Sequence, residues 1–155
     1  MGAIGGRADL MDVLDTSQGK GRLSQSGTFS GNNFTLAAGL ATLRALTPDI
    51  YERLDGLRER LHAGLEASFA GAGIPCQVLS AGSIINPFLT DQPLRDYRSS
   101  LTADTELLNR IFLALLLKGY HTGRGAMSLL LSTPMGVEHV DGLLEALDQV
   151  LGERD

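Results

Sequence analysis

The stretch Gln25-Ser26-Gly27-Thr28-Phe29-Ser30-Gly31-Asn32-Asn33 runs straight into the apolar run Phe34-Thr35-Leu36-Ala37-Ala38-Gly39-Leu40-Ala41-Thr42-Leu43. Glycines and hydroxyls give way at once to helix formers, so the junction reads as a helix entry. Two readings of it compete. Backbone N–H groups freed by Gly27 and Gly31, the hydroxyls of Thr28 and Ser30, and the positive end of a helix dipole make an anion-binding corner of phosphate size. The same residues also make an ordinary Gly/Asn helix cap with no ligand. The spacing does not decide between them, being neither a Walker loop nor a dinucleotide fingerprint.

Toward the amino terminus, glycines interrupt the chain so often that only residues 8–14 can form a short helix. Leu10, Val13 and Leu14 fall on one side of it, a stripe suited to docking on a larger body; a flexible tail is the other reading. Toward the carboxy terminus the helical signals strengthen. Residues 34–46 are apolar on most sides, the pattern of a helix buried between layers. After Pro48, residues 49–69 place Ile50, Leu54, Leu57, Leu61, Leu65 and Phe69 at three- and four-residue spacing, with Glu52, Arg53, Arg58, Glu59, Arg60 and Glu66 mostly opposite. This predicts a long amphipathic helix, too short in heptads for a coiled coil.

Residues 74–79 and 83–89 are β-prone runs separated by Ser80-Ala81-Gly82, which predicts neighbouring strands joined by a tight turn. Residues 91–99 read as a polar loop. Residues 103–118 carry Leu107, Leu108, Ile111, Phe112, Leu115 and Leu116 with helical periodicity, and Gly119 supplies a stop. A strand at 127–131 and a closing helix at 137–151 complete the order β-β-α-β-α. The expected fold class is α/β, an α+β small domain in which a long helix packs near a small mixed or antiparallel sheet.

The chain of 155 residues, with 43% hydrophobic content, is long enough for one ordinary core. A net charge of −5 gives no electrostatic case for nucleic acid or an anionic membrane. No signal peptide is evident at Met1-Gly2-Ala3-Ile4, and the longest apolar run, 111–117, is too short to span a bilayer. The single cysteine, Cys76, excludes an internal disulfide and a multi-cysteine metal site, and fits a reducing cytoplasm. Its flanks, Ile74-Pro75 and Val78-Leu79, suggest a buried strand thiol rather than a nucleophile. His62, His121 and His139 lack the spacing of a metal motif, so no metal site is expected. Ser26, Ser30 and Ser128 show no nucleophile-elbow pattern.

The blocks Gly5-Gly6-Arg7-Ala8-Asp9-Leu10-Met11, Ser26-Gly27-Thr28-Phe29-Ser30-Gly31-Asn32, Ala38-Gly39-Leu40-Ala41-Thr42-Leu43 and Tyr51-Glu52-Arg53-Leu54 occur in that order. In this they resemble class III pyridoxal-phosphate (PLP) aminotransferases, and within that class the glutamate-1-semialdehyde aminomutase group. The resemblance covers essentially the whole chain, as the back third of such an enzyme. It implies the carboxy-terminal part of a fold-type I PLP-dependent transferase. Residues 1–47 would be the tail end of the large cofactor-binding domain, including the phosphate-contacting segment. Residues 48–155 would be a linker helix and the carboxy-terminal small α/β domain.

The resemblance also implies what is missing. In the family, the lysine that tethers the cofactor as a Schiff base lies just upstream of the segment matching Gly2 to Arg7, which here is preceded only by Met1. Lys20 sits in a Gly-rich polar loop and Lys118 at the end of a helical pattern, and neither matches that position. The aspartate that pairs with the pyridine nitrogen and the aromatic residue that stacks on the ring would also lie upstream. The expectation is that this chain holds no catalytic residue, does not stably bind PLP alone, and does not transaminate alone.

Two positions carry the implied binding roles. In the family, the threonine matching Thr28 reaches across a dimer interface to the cofactor phosphate of the other subunit, so Ser26, Gly27 and Thr28 are the implied cofactor-binding residues. Asn32-Asn33 replaces the family's Asn-Pro and changes the helix entry. Arg124, within His121-Thr122-Gly123-Arg124-Gly125-Ala126-Met127-Ser128-Leu129, stands where the aminomutase group carries a Gln-Phe-Glu run. Here the chain looks like the β-amino-acid aminotransferase branch, whose arginine binds a substrate carboxylate. Taken by itself, an arginine in a Gly-rich turn reads as solvated. The implied parent acts on an amino acid or amino ketone, and the implied partner is a second copy or the amino-terminal part of the same enzyme. The alternative is a non-catalytic α/β module that associates through Leu10, Val13, Phe34 and Leu36.

Overall fold

The computed structural model describes residues 2–17, 23, 25–123 and 127–153. The chain divides into two compact units, Met1–Thr47 and Pro48–Asp155. In the first, a short helix α1 (Ala8–Met11) passes into a 3-10 turn at Asp12–Leu14. Helix α2 (Asn33–Ala45) is entered through Asn32, whose Oδ1 accepts from the Phe34 N–H at 3.1 Å and the Thr35 N–H at 3.2 Å. The expectation of a helix buried between layers is not met: no residue of α2 is buried, and Phe34 is 87% exposed. Its apolar run specifies a helix that needs cover on several sides, and this unit supplies none.

The second unit begins with α3 (Pro48–Gly71), where proline suits the first turn because no N–H is lost there. Leu54, Leu57, Leu61, Leu65 and Phe69 are all buried, as their spacing requires. The helix ends in a Schellman arrangement. Gly73 adopts φ +69°, the Ile74 N–H donates to the Phe69 carbonyl at 2.9 Å, and the Gly73 N–H donates to Ala70 at 3.0 Å. This turn brings Ile74 back into the core beside Phe69.

Strands β1 (Gln77–Ala81) and β2 (Ile84–Phe88) form an antiparallel hairpin in which Ala81 pairs with Ile84 around Gly82-Ser83. Gly82 has φ +54° while Ser83 does not have positive φ, the signature of a type II′ turn. Strand β3 (Leu129–Leu130) pairs antiparallel with β2, giving the order β1-β2-β3. The sheet is therefore antiparallel throughout. The strands are shorter than their apolar runs suggested, because Ile74 is buried through the helix cap rather than through the sheet. Pro87 is tolerated in β2 because β3 pairs only with Ile84 and Ile85 and stops short of it.

The polar run 91–99, expected to be a loop, ends in a one-turn helix α4 (Tyr97–Ser100). The Ser99 N–H donates to Asp96 Oδ1 at 2.8 Å and the Asp96 N–H donates to Ser99 Oγ at 3.0 Å, a capping box of two short polar side chains. Helix α5 (Thr105–Leu117) is capped by Asp104 and closed by Gly119 at φ +93°, the expected stop. Helix α6 (Val137–Gly152) completes the unit. It packs on α3 and α5, while α3 packs on β1 and β2, and the core between them holds Leu61, Leu65, Phe69, Ile85, Leu115 and Leu147. At the surface the Arg60 guanidinium donates to both carboxylate oxygens of Asp141, at 2.6 and 2.9 Å, and holds the Asp141 carboxyl below the usual carboxylate range.

Candidate functional site

In the first unit, residues Thr28–Gly31 form a turn closed by the Ser30 N–H on the Gly27 carbonyl at 2.9 Å and the Asn32 N–H on the Phe29 carbonyl at 3.2 Å. Gly31 adopts φ +70°, a conformation that suits glycine. Ser26, Gly27 and Thr28 are all exposed, and neither hydroxyl of the set has a hydrogen-bond partner among the described residues. Asn32 already satisfies two amides of the α2 first turn. The cap reading and the anion reading therefore occupy different residues: Asn32 caps the helix, while the Ser26–Thr28 hydroxyls and neighbouring amides stay open to a ligand. A phosphate group fits that donor set, which lies upstream of the helix end rather than on it.

In the second unit, Arg124 lies outside the described residues, as does Lys20. What is described is the chain on either side of Arg124. Gly123 has φ +79°, and a Cβ there would lie 3.2 Å from the Ser128 carbonyl oxygen. Met127 is fully buried at φ +43°, a left-handed conformation that is uncommon for a bulky residue. Thr122 is 3% exposed and its Oγ1 has no hydrogen-bond partner among the described residues. Thr122, Gly123, Tyr120 and His121 border a cleft of about 390 Å³ that Leu61 and Val140 also line. Neither Thr122 nor Met127 stands out in the amino-acid pattern, since the burial of both depends on contacts across the fold.

The remaining candidates have structural partners. The Lys118 Nζ donates to Gln149 Oε1 at 3.1 Å and approaches Glu153 at 3.4 Å, tying α5 to α6. His62 Nδ1 lies 3.0 Å from the Ser80 hydroxyl, His121 stands edge-on to Phe112, and His139 Nδ1 accepts from the Gly136 N–H. Cys76 sits just before β1, half-buried rather than within a strand, and burial pushes its thiol up to about 11, out of the nucleophile range. Among the described residues no cluster of His, Cys, Asp or Glu could hold a metal ion, and no helix is long and apolar enough to cross a membrane.

No model of a protein family matches the chain. A glutamate-1-semialdehyde 2,1-aminomutase of Desulforudis audaxviator is 38% identical over 151 residues, covering 96% of this chain and 34% of that protein. The fold matches an omega-transaminase from Sphaerobacter thermophilus at TM-score 0.85 and 38% identity, over 96% of this chain and 34% of that one. It also matches a variant glutamate-1-semialdehyde aminomutase from Pseudomonas aeruginosa, solved in complex with PMP, at TM-score 0.76 and 26% identity, over 83% of this chain and 29% of that one. By sequence and by fold the chain belongs with the PLP-dependent transaminases and aminomutases, and it spans about a third of the length of the relatives it matches.

Proposed function

We propose that this chain is the carboxy-terminal portion of a class III PLP-dependent aminotransferase or aminomutase acting on an amino acid or amino ketone in the cytoplasm. The observation that carries the reading is the exposed segment Ser26-Gly27-Thr28, whose hydroxyls have no partner among the described residues and suit a phosphate dianion without themselves titrating. PLP, when bound, supplies the electron-withdrawing ring that stabilises charge at the substrate carbon. This chain's residues bind and orient. Ser26, Gly27 and Thr28 hold the phosphate, in a site completed by another subunit, and Arg124 takes the substrate carboxylate through its planar fork. The lysine tether comes from the part of the family's length that this chain does not span, for the Lys118 ammonium is already engaged by Gln149 and Glu153. The chain alone is therefore inactive and holds no PLP stably.

Mixing the chain with a separately made amino-terminal portion tests this. Restored visible cofactor absorbance and turnover support it, and their absence refutes it. In the assembled enzyme Thr28→Ala weakens cofactor retention by about 1–3 kcal/mol, the worth of a charge-assisted hydrogen bond. Arg124→Ala raises KM for the carboxylate substrate while sparing cofactor binding; unchanged kinetics would remove Arg124 from the site. A second reading, a self-associating non-catalytic module, is favoured by the exposure of Phe34, Leu36, Leu40 and Leu43 along α2. Homo-oligomers inert to the amino-terminal portion would select it.

A further inference from the structure

Alternation along the strands sorts the sheet's residues onto two faces. Val78, Ile85, Pro87 and Leu129 are buried and face the core. The register places Leu79, Ala81, Ile84, Asn86 and Leu130 on the opposite face, with Ile84 paired to both Ala81 and Leu130 and the half-buried Asn86 paired to Leu79. An antiparallel sheet whose second face meets water normally carries polar residues there. This one exposes Leu79 at 49%, Ile84 at 48% and Leu130 at 62%, and none of its strand residues is charged. At the other end of the same face the chain provides its own cover. The Gln77 side chain donates to the Gln92 carbonyl and accepts from the Leu94 N–H at 3.4 Å, and Phe88, paired with Gln77, is half-buried. One end of the face is closed and the other is open.

We propose that the open end, Leu79, Ala81, Ile84 and Leu130, is the docking surface for the portion of the family's polypeptide that this chain does not span; the proposal rests on the functional reading above. The Sphaerobacter transaminase keeps this fold within a chain of which only 34% is matched, so about two-thirds of that polypeptide is available as the occupant. The chemistry agrees. An uncharged, mainly aliphatic patch on a sheet, with Asn86 as its one amide, suits the apolar centre of a protein interface rather than an anionic ligand.

The test uses the whole 155-residue chain. The probe is a polypeptide comprising the unmatched two-thirds of the Sphaerobacter transaminase, supplied with PLP, and binding is read by sedimentation velocity. The chain should form a one-to-one complex. The double variant Ile84→Lys/Leu130→Lys should bind at least about tenfold more weakly, because a lysine ammonium is then forced into an apolar contact. Leu117→Lys, at a position 90% exposed on α5, should bind within about twofold of the parent chain. Circular dichroism melts establish that each variant is folded; should the double variant be unfolded, Leu79→Lys is read in its place. Equal binding by the double variant overturns the docking surface while leaving the functional reading intact. Absence of a complex with the parent chain overturns both. Self-association that the double variant abolishes and the probe does not displace would assign the face to a second copy and overturn the proposed occupant.

Discussion

Gly64 lies on α3 where α6 crosses it, and a Cβ there would sit 2.2 Å from Leu144 Cδ1, 2.8 Å from Cδ2 and 3.1 Å from Cγ. In a helix interior Gly→Ala is ordinarily stabilising by about 1 kcal/mol, because alanine loses less backbone freedom. Here a second effect opposes it. Rotation about χ2 of Leu144 moves the two methyls but leaves Cγ within reach, so either χ1 changes or the helices separate. Overpacking of this kind costs about 1–3 kcal/mol. Leu144 is half-buried and borders an open groove with Ser68, Gly71 and Asp148, so it has somewhere to go, and about 2 kcal/mol is the appropriate figure. The net expectation for Gly64→Ala is destabilisation by about 1 kcal/mol, or roughly 2–4 °C in Tm. In a Leu144→Ala background the obstacle is gone, and the same substitution should stabilise by about 1 kcal/mol, giving a coupling energy of about 2 kcal/mol. Urea unfolding of the four chains, followed by far-UV circular dichroism, completes the cycle. Stabilisation by Gly64→Ala in the parent background would refute the reasoning.

Thr122→Val removes a buried hydroxyl that has no partner among the described residues, and should stabilise the chain by roughly 1–2 kcal/mol in urea unfolding; destabilisation would show that the hydroxyl is satisfied. Phe69→Ala empties the site of a ring with no exposed surface, and should cost about 3–5 kcal/mol by the same measurement. Cys76 should resist iodoacetamide at pH 8 by on the order of a hundredfold relative to the urea-unfolded chain, since burial withholds the thiolate. Because its folded value, about 11, lies above the ordinary 9.0, its contribution to stability is whole below pH 9 and is lost as pH rises through 11. Equal alkylation of folded and unfolded chains would place the thiol in water.

The long helix was legible because its signal is local: six apolar residues recur on one stripe of a 3.6-residue period, five of them are buried, and Ile50, in the first turn, is half-buried. Gly119 was legible as a stop for the same reason, since a positive φ at that place selects glycine whatever the surroundings. The blocks around Gly27 named Ser26, Gly27 and Thr28 as the residues proposed for the phosphate, but only the tertiary structure separated the cap, Asn32, from the exposed hydroxyls. Burial of α2 was misread because an apolar run reports what a helix needs, and cover is supplied by other elements. Helix α4 was missed because Asp96 and Ser99 look like loop residues until they bond to each other's amides.

Sequence by itself determined the order of elements apart from α4, the stripe of α3, the helix stops and the family, all of which rest on short-range backbone chemistry or on matching blocks. Tertiary structure alone decided the strand register, the outward apolar face, the clasp of Gly64 on Leu144, the unsatisfied Thr122 hydroxyl and the left-handed Met127. Each of these is either a contact between elements or a burial, exposure or backbone angle that such contacts impose. Such contacts are fixed by close packing and by which groups lose water together, and neither quantity exists until the elements meet.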